Sequence, residues 1–305
     1  MKNFIDPKTL SRVKDLPLVA KTLAQGFLQG IHQSVQRGVG IEFSQYRVYE
    51  PGDDLSKVDW KLFARSDRYF VREAERESDI NIWFVIDSSA SMAQKSVGMG
   101  KNSDLTKLQY SQFLAATMAY LGQKQGDNVG LLGLSTQQKY FLPALSGQRH
   151  FQKVLINLAQ IKSGGHFPSA SSLRSHLHSM QKSGLIFVIS DFYQYDNNNE
   201  NDVINIVADL VNDRTDVIAI QLQSNDELEF SFKGALKIED LETNQQLLVS
   251  SRQAKSAYLK ARSEFNQQLT DTFTTKRVKH WPVNIDQPLD ETLLQFLKIR
   301  QKVSR

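Results

Sequence analysis

The segment Asp87-Ser88-Ser89-Ala90-Ser91-Met92 places a carboxylate and two hydroxyls at alternate positions, D-x-S-x-S. In a tight loop leaving a strand, alternate side chains can point the same way, so Asp87, Ser89 and Ser91 would converge. A second carboxylate, Asp191, follows the apolar run Leu185 to Ser190 just as Asp87 follows Ile80 to Ile86. Carboxylate and hydroxyl oxygens make a hard donor set, suited to Mg²⁺ or Mn²⁺ rather than zinc. Mg²⁺ takes about six oxygens in octahedral array, more than these side chains supply. Water and an outside ligand must complete the shell. With so few fixed anions the ion keeps surplus positive charge, which favours a carboxylate from another protein. D-x-S-x-S by itself is a weak signal, because Asp and Ser are common in turns and helix caps. Its place after a strand, with Asp191 after another, strengthens it.

The elements that must position these groups can be read from hydrophobic periodicity. From Asp79 onward, apolar strands at Ile80 to Ile86, Asn128 to Leu134, Leu185 to Ser190, Asp216 to Leu222 and Val278 to Ile285 alternate with helices. The helices are expected over 105–125, 147–161, 171–182, 202–212, 254–274 and 289–301. Lys139 to Leu142 pairs back on Asn128 to Leu134 as a hairpin, and 236–249 reads as a ribbon. Short apolar strands alternating with helices predict α/β architecture, a doubly wound, mostly parallel sheet covered on both faces. Ligands in such sheets bind beyond the carboxyl ends of the strands, where strand order reverses. Asp87 and Asp191 occupy two such ends. Residues 1–78 are less regular: helical spacing over 10–30, a glycine turn at 37–40, extended runs at 41–49 and 68–75, and a turn at Pro51-Gly52-Asp53-Asp54. They are expected to form an N-terminal extension wrapped on a main domain at 79–305, with 196–201 an exposed polar loop.

Composition narrows the function classes. Basic residues number 37 against 33 acidic, a balance of +4 that is too mild and too evenly spread to argue for nucleic acid. Cysteine is absent, which removes disulfides, thiolate-bound zinc and a catalytic thiol. The apolar runs are strand-length, whereas a membrane helix needs roughly 20 apolar residues. A soluble, cytoplasmic protein without membrane insertion is the resulting expectation.

The D-x-S-x-S pattern with Asp191 resembles the metal-ion-dependent adhesion site of von Willebrand factor A domains. That resemblance implies a doubly wound sheet and a Thr ligand from a further loop. Here the loop reads Gly164-Gly165-His166-Phe167-Pro168-Ser169-Ala170-Ser171-Ser172-Leu173 and has no Thr. Aligned back from the helix, Ser171 takes the position and keeps an oxygen donor. Aligned from the glycines, His166 takes it and weakens the preference for Mg²⁺. Ser171 is the preferred alternative. A longer string, Arg47-x-Tyr49-x-Pro51-Gly52-Asp53-Asp54, Asp59-Trp60, Ala64-Arg65 and Val71-Arg72-Glu73, leads into Asp87-Ser88-Ser89, with Ser190-Asp191-Phe192 and Leu241-Glu242-Thr243 downstream. It resembles domain of unknown function 58, a family commonly encoded beside MoxR-type AAA+ ATPases. The resemblance implies work with such an ATPase in assembling, activating or remodelling other proteins.

Other charged residues are given blander roles. The interleaved signs of Arg47, Asp53, Asp54, Asp59, Arg65, Arg72 and Glu73 suit an internal salt-bridge network, and Trp60 and Tyr49 suit packing. Lys107 reads as a solvated residue, and Lys255, Lys260, Arg262 and Lys276 as a solvated helix face. A metal-dependent protein-binding module, not an enzyme, is therefore expected. The alternatives are an Mg²⁺-dependent phosphohydrolase, which lacks a G-x-x-x-x-G-K-[ST] phosphate loop here, and a metal-free scaffold.

Overall fold

The structure, a computed structural model, describes residues 16–24, 46–48, 69–72, 80–95, 105–137, 139–181, 184–193, 202–232, 234–239 and 246–293. The chain divides into two compact units, Phe27–Ser78 and the combination of Met1–Gly26 with Asp79–Arg305. In the smaller unit, β1 (Tyr46–Val48) pairs antiparallel with β2 (Phe70–Arg72), setting Arg47 opposite Val71. Both strands fall inside the runs expected to be extended. The turns at 37–40 and after Pro51, Tyr49, Trp60, the side chains of the charged string, the 196–201 loop and Leu241 to Thr243 lie outside the described residues.

The larger unit opens with α1 (16–24), which buries Leu16, Val19, Ala20, Leu23 and Ala24 at amphipathic spacing. Its centre is a six-stranded sheet in the order β10–β7–β6–β3–β4–β5. These strands are β3 (Asn81–Asp87), β4 (Asn128–Leu134), β5 (Lys139–Leu145), β6 (Gly184–Ser190), β7 (Thr215–Gln223) and β10 (Lys279–Asn284). All neighbours run parallel except the edge hairpin β4–β5. A separate antiparallel ribbon joins β8 (Ala235–Glu239) and β9 (Gln246–Ser250).

Strands covered on both faces read as unbroken apolar runs, and β3 does: residues 82–86 are all buried. Side chains alternate along it. Ile82 faces α2 (Lys107–Lys124), so closely that a Cβ on Gly122 would lie 2.8 Å from its Cδ1. Trp83 and Val85 turn the other way. They enter a core with α4 (Ala170–Met180), α5 (Asp202–Asp209) and α7 (Ser251–Thr275), through Leu173, Leu177, Ile206, Leu269 and Phe273. Helix α3 (Gln148–Gln160) buries Phe151, Val154, Leu155 and Leu158, and α6 (Asn225–Glu229) follows β7. A last helix, α8, is described over 289–293.

From β3 the chain moves to β4 and β5 on one side, then crosses to β6 and β7 on the other. Strand order therefore reverses between β3 and β6. The doubly wound α/β fold expected from the sequence is the fold observed, and the carboxyl ends of β3 and β6 meet at its switch point.

Candidate metal centre

Register brings the first contacts. Ile86 lies beside Ile189, so Asp87 and Ser190 are the next residues out at the strand ends. The Ser190 hydroxyl donates to Asp87 Oδ2 at 2.5 Å. Asp87 Oδ1 accepts the Ser89 backbone N–H at 2.8 Å, which tightens the turn leaving β3. Ala90–Ala93 then forms a single 3-10 turn. That turn brings Ser89 Oγ and Ser91 Oγ within 3.1 Å, and Ser91 Oγ donates to Asp191 Oδ1 at 3.3 Å. Four of the five residues expected at the site, Asp87, Ser89, Ser91 and Asp191, are thus joined in one chain of hydrogen bonds.

Asp191 is held by its own turn. Its Oδ1 also accepts the Tyr193 N–H at 3.2 Å, and the intervening Phe192 adopts φ 60°, a left-handed conformation uncommon for a bulky residue. Packing holds it there: Phe192 is fully buried and meets Phe273 edge-on, with centroids 5.3 Å apart.

The glycine loop forms the third wall. Gly164 N–H donates to the Ser88 carbonyl at 2.9 Å, and Ala90 N–H to the Gly165 carbonyl at 2.8 Å. Gly165 has φ 68°, and a Cβ there would lie 2.4 Å from Thr136 Oγ1, so close approach and backbone conformation both call for glycine. His166 is exposed, and its backbone bonds Thr136 at both N–H and C=O. Ser171 lies in the first turn of α4, one position past Ala170; Ser169, not Ser171, is the N-cap. The Ser171 side chain is outside the described residues.

Lys107 corrects the sequence reading. It is fully buried at the start of α2, and its ammonium donates to Asp191 Oδ2 at 2.9 Å, to Glu227 Oε1 at 2.7 Å and to Gln94 Oε1 at 3.2 Å. Burial alone would lower the lysine, but the two carboxylates overcome it and hold its pKa above the usual value. Burial would raise Glu227, and the Lys107 charge instead pulls it below the carboxylate range. A cue was available: Lys107 stands one turn before Tyr110 and Ser111 and two before Leu114, on the stripe that α2 buries.

Asp87 behaves in the opposite way. Burial, reinforced by the charge of Asp191, pushes its carboxyl up to about 7, against the smaller lowering effect of Ser190 and Ser89. Beside it Ser88 Oγ is buried without a hydrogen-bond partner among the described residues. Among the described residues no three His, Asp or Glu side chains gather as a metal cage. The donors are two carboxylates and neighbouring hydroxyls, all hard oxygens, with negative charge that protein groups leave uncompensated at Asp87. This set fits Mg²⁺ or Mn²⁺.

The family model described as Protein of unknown function DUF58 matches residues 45–272. The chain is a member of the DUF58 family. Uncharacterized protein Rv1480 of Mycobacterium tuberculosis is 28% identical over 190 residues, 61% of this DUF58 chain and 58% of that protein. The chain therefore spans less than two-thirds of the relative's length. An aerotolerance-related membrane protein from Bacteroides fragilis is similar at TM-score 0.41 and 13% identity, over 71% of this chain and 97% of that one. The SpRpn10 VWA domain is similar at TM-score 0.38 and 11% identity, over 71% and 94%. The cytoplasmic location expected from the sequence is corrected here, since a structure similar to this one is that of a membrane protein. Lack of a spanning run does not assign a compartment. No helix among the described residues is long and apolar enough to cross a membrane.

Proposed function

We propose that this DUF58 chain is a protein-binding module that grips a carboxylate of its partner through Mg²⁺ at the β3–β6 rim, with Mn²⁺ as a substitute. The observation that carries this reading is the Asp87–Ser89–Ser91–Asp191 cluster, whose Asp87 carboxyl is pushed up to about 7 by burial and by the charge of Asp191. Asp87, Ser89, Ser91 and Asp191 would hold the ion, with Ser171 as the further oxygen. The ion would neutralise the two carboxylates and offer a Lewis-acidic position to an outside oxygen. The chain's own residues do the rest. Ser190 and the Ser89 N–H orient Asp87; Lys107 and the Tyr193 N–H orient Asp191; the Gly164–Gly165 loop keeps the hydroxyl-bearing turn in place.

The partner proposed is a MoxR-type AAA+ ATPase, with an acidic client on which the two act in assembly, activation or remodelling. Support comes from family membership and from the partner chemistry that a partly unsaturated hard cation selects. Binding of the co-expressed ATPase to immobilised chain tests this, comparing wild type with Asp87→Ala, in Mg²⁺ and in EDTA. Recovery only by wild type in Mg²⁺ is expected, and equal recovery in every condition overturns the metal-dependent reading.

One observation favours a second reading, a metal-free scaffold: the buried Lys107 ammonium already gives Asp191 a cation. Under that reading partner binding survives EDTA and is lost in Lys107→Met instead.

A further inference from the structure

Arg262 was expected on a solvated face of α7. Lys255, Lys260 and Lys276 are exposed there, but Arg262 is 7% exposed. Its guanidinium is fixed on two sides. Nη1 donates to the Tyr258 hydroxyl at 3.2 Å, and the plane lies over the Tyr193 ring at 5.3 Å. Nε and Nη2 are buried and have no hydrogen-bond partner among the described residues. The nearby acid is committed elsewhere: Glu227 gives Oε1 to Lys107, and its Oε2 accepts the Ser224 N–H at 2.7 Å and the Ser224 hydroxyl at 3.1 Å. A buried charged donor left unpaired is costly, and such a group calls for a missing partner.

The unpaired Nε–Nη2 edge is a flat pair of parallel donors, which matches the two oxygens of a carboxylate. Arg262 lines a cleft of ≈ 350 Å³ with Leu228, Leu259, Ser263 and Asn266, and among the described residues none that lines it is acidic. Asn266 is oriented to help. Its Oδ1 accepts from Gln221 at 3.0 Å and from Gln223 at 3.2 Å, which leaves its amide N–H groups for a ligand. His280 steadies this arrangement by bonding Gln221 Oε1 at 3.1 Å, and burial keeps the ring neutral by lowering it to about 4. Leu228 and Leu259 offer an apolar wall.

We infer that the Arg262 cleft is a second binding site, for an acidic side chain of a partner polypeptide whose neighbouring apolar residue packs on Leu228 and Leu259. The site deepens the protein-binding reading and rests on it, but needs no metal. Neither Nε nor Nη2 touches solvent, so the ligand must part the cleft walls to reach them.

The test uses the ¹⁵N-labelled full chain in EDTA. The Arg262 Nε–H cross-peak is followed while acetyl-Leu-Glu-Leu-amide, its Gln counterpart or inorganic phosphate is added. A saturable shift with the Glu peptide, at least tenfold weaker with the Gln peptide, is expected. It should persist in Asp87→Ala, so failure of the metal reading leaves it untouched. Calorimetry on Arg262→Lys, which keeps the charge and loses the two-donor edge, should show at least a tenfold loss of Glu-peptide affinity. No saturable shift, equal shifts with both peptides, or saturation by phosphate alone would overturn the assignment. The wild-type cross-peak decides between these outcomes whether or not Arg262→Lys folds.

Discussion

The two carboxylates at the switch point sit on neighbouring strands yet live in different electrostatic surroundings. Asp191 is compensated from within, by a fully buried lysine shared with Glu227. Asp87, equally buried, receives hydroxyl and backbone N–H donors but no cation among the described residues, and its carboxyl rises to about 7. The contrast teaches that the rim has a closed half and an open half. Lys107 completes the first at folding, whereas the second keeps an uncompensated carboxyl, which is where the proposed cation would bind. An ion there would see one carboxylate still partly free and the other already shared, which limits how much negative charge it meets.

Breaking the closed half should have the largest effect. Lys107→Met leaves Asp191 and Glu227 buried without their cation, and a loss of about 3–5 kcal/mol in urea unfolding is expected. A loss below about 1 kcal/mol would mean that the pair is not buried as described. The open half should show itself through pH. Asp87 has a folded pKa raised above its ordinary 3.8, so the folded protein binds more protons between about 4 and about 7. Metal-free stability must then fall as pH rises through that window, by at most about 1.4 kcal/mol per pH unit. Asp87→Asn should flatten that slope, and an unchanged slope would assign it to other groups. The smallest effect is expected from Ser190→Ala. Removing one hydrogen bond to a charged acceptor should cost about 1–2 kcal/mol above pH 7, less below it, and move Asp87 still higher. NMR titration of the Asp87 carboxyl reads that shift directly.

The open half was legible in the sequence and the closed half was not. D-x-S-x-S and Asp191 each follow an apolar strand, and strand ends are placed by a period that local sequence carries. The sheet was legible for the same reason, down to the β4–β5 hairpin and the β8–β9 ribbon. The partners of Lys107 give no such local sign, because they lie 84 and 120 residues away and are joined to it only by the crossovers of the sheet. Arg262 was misread by counting charge along α7 instead of position around it. Tyr258, Arg262, Phe265, Leu269 and Phe273 recur at the spacing of one helical face, and three of these five are buried. A cation on an apolar stripe is a buried cation, and both corrections follow from that rule. Ser171 shows the other limit: anchoring the glycine loop to the helix or to the glycines gives different residues, and the backbone alone places Ser171 in the first turn of α4.

Calorimetric titration of Mg²⁺ into metal-free chain near pH 7, with Asp87→Ala beside it, decides whether the β3–β6 rim holds an ion. One saturable site is expected in wild type, with thermal stabilisation and with proton release seen as a heat that depends on the buffer, because Asp87 is part-protonated before the ion arrives. None of these is expected in Asp87→Ala. A wild-type chain that takes up no Mg²⁺ at millimolar concentration and gains no stability would contradict the metal-dependent reading, and would leave Lys107 as the cation the rim was built around.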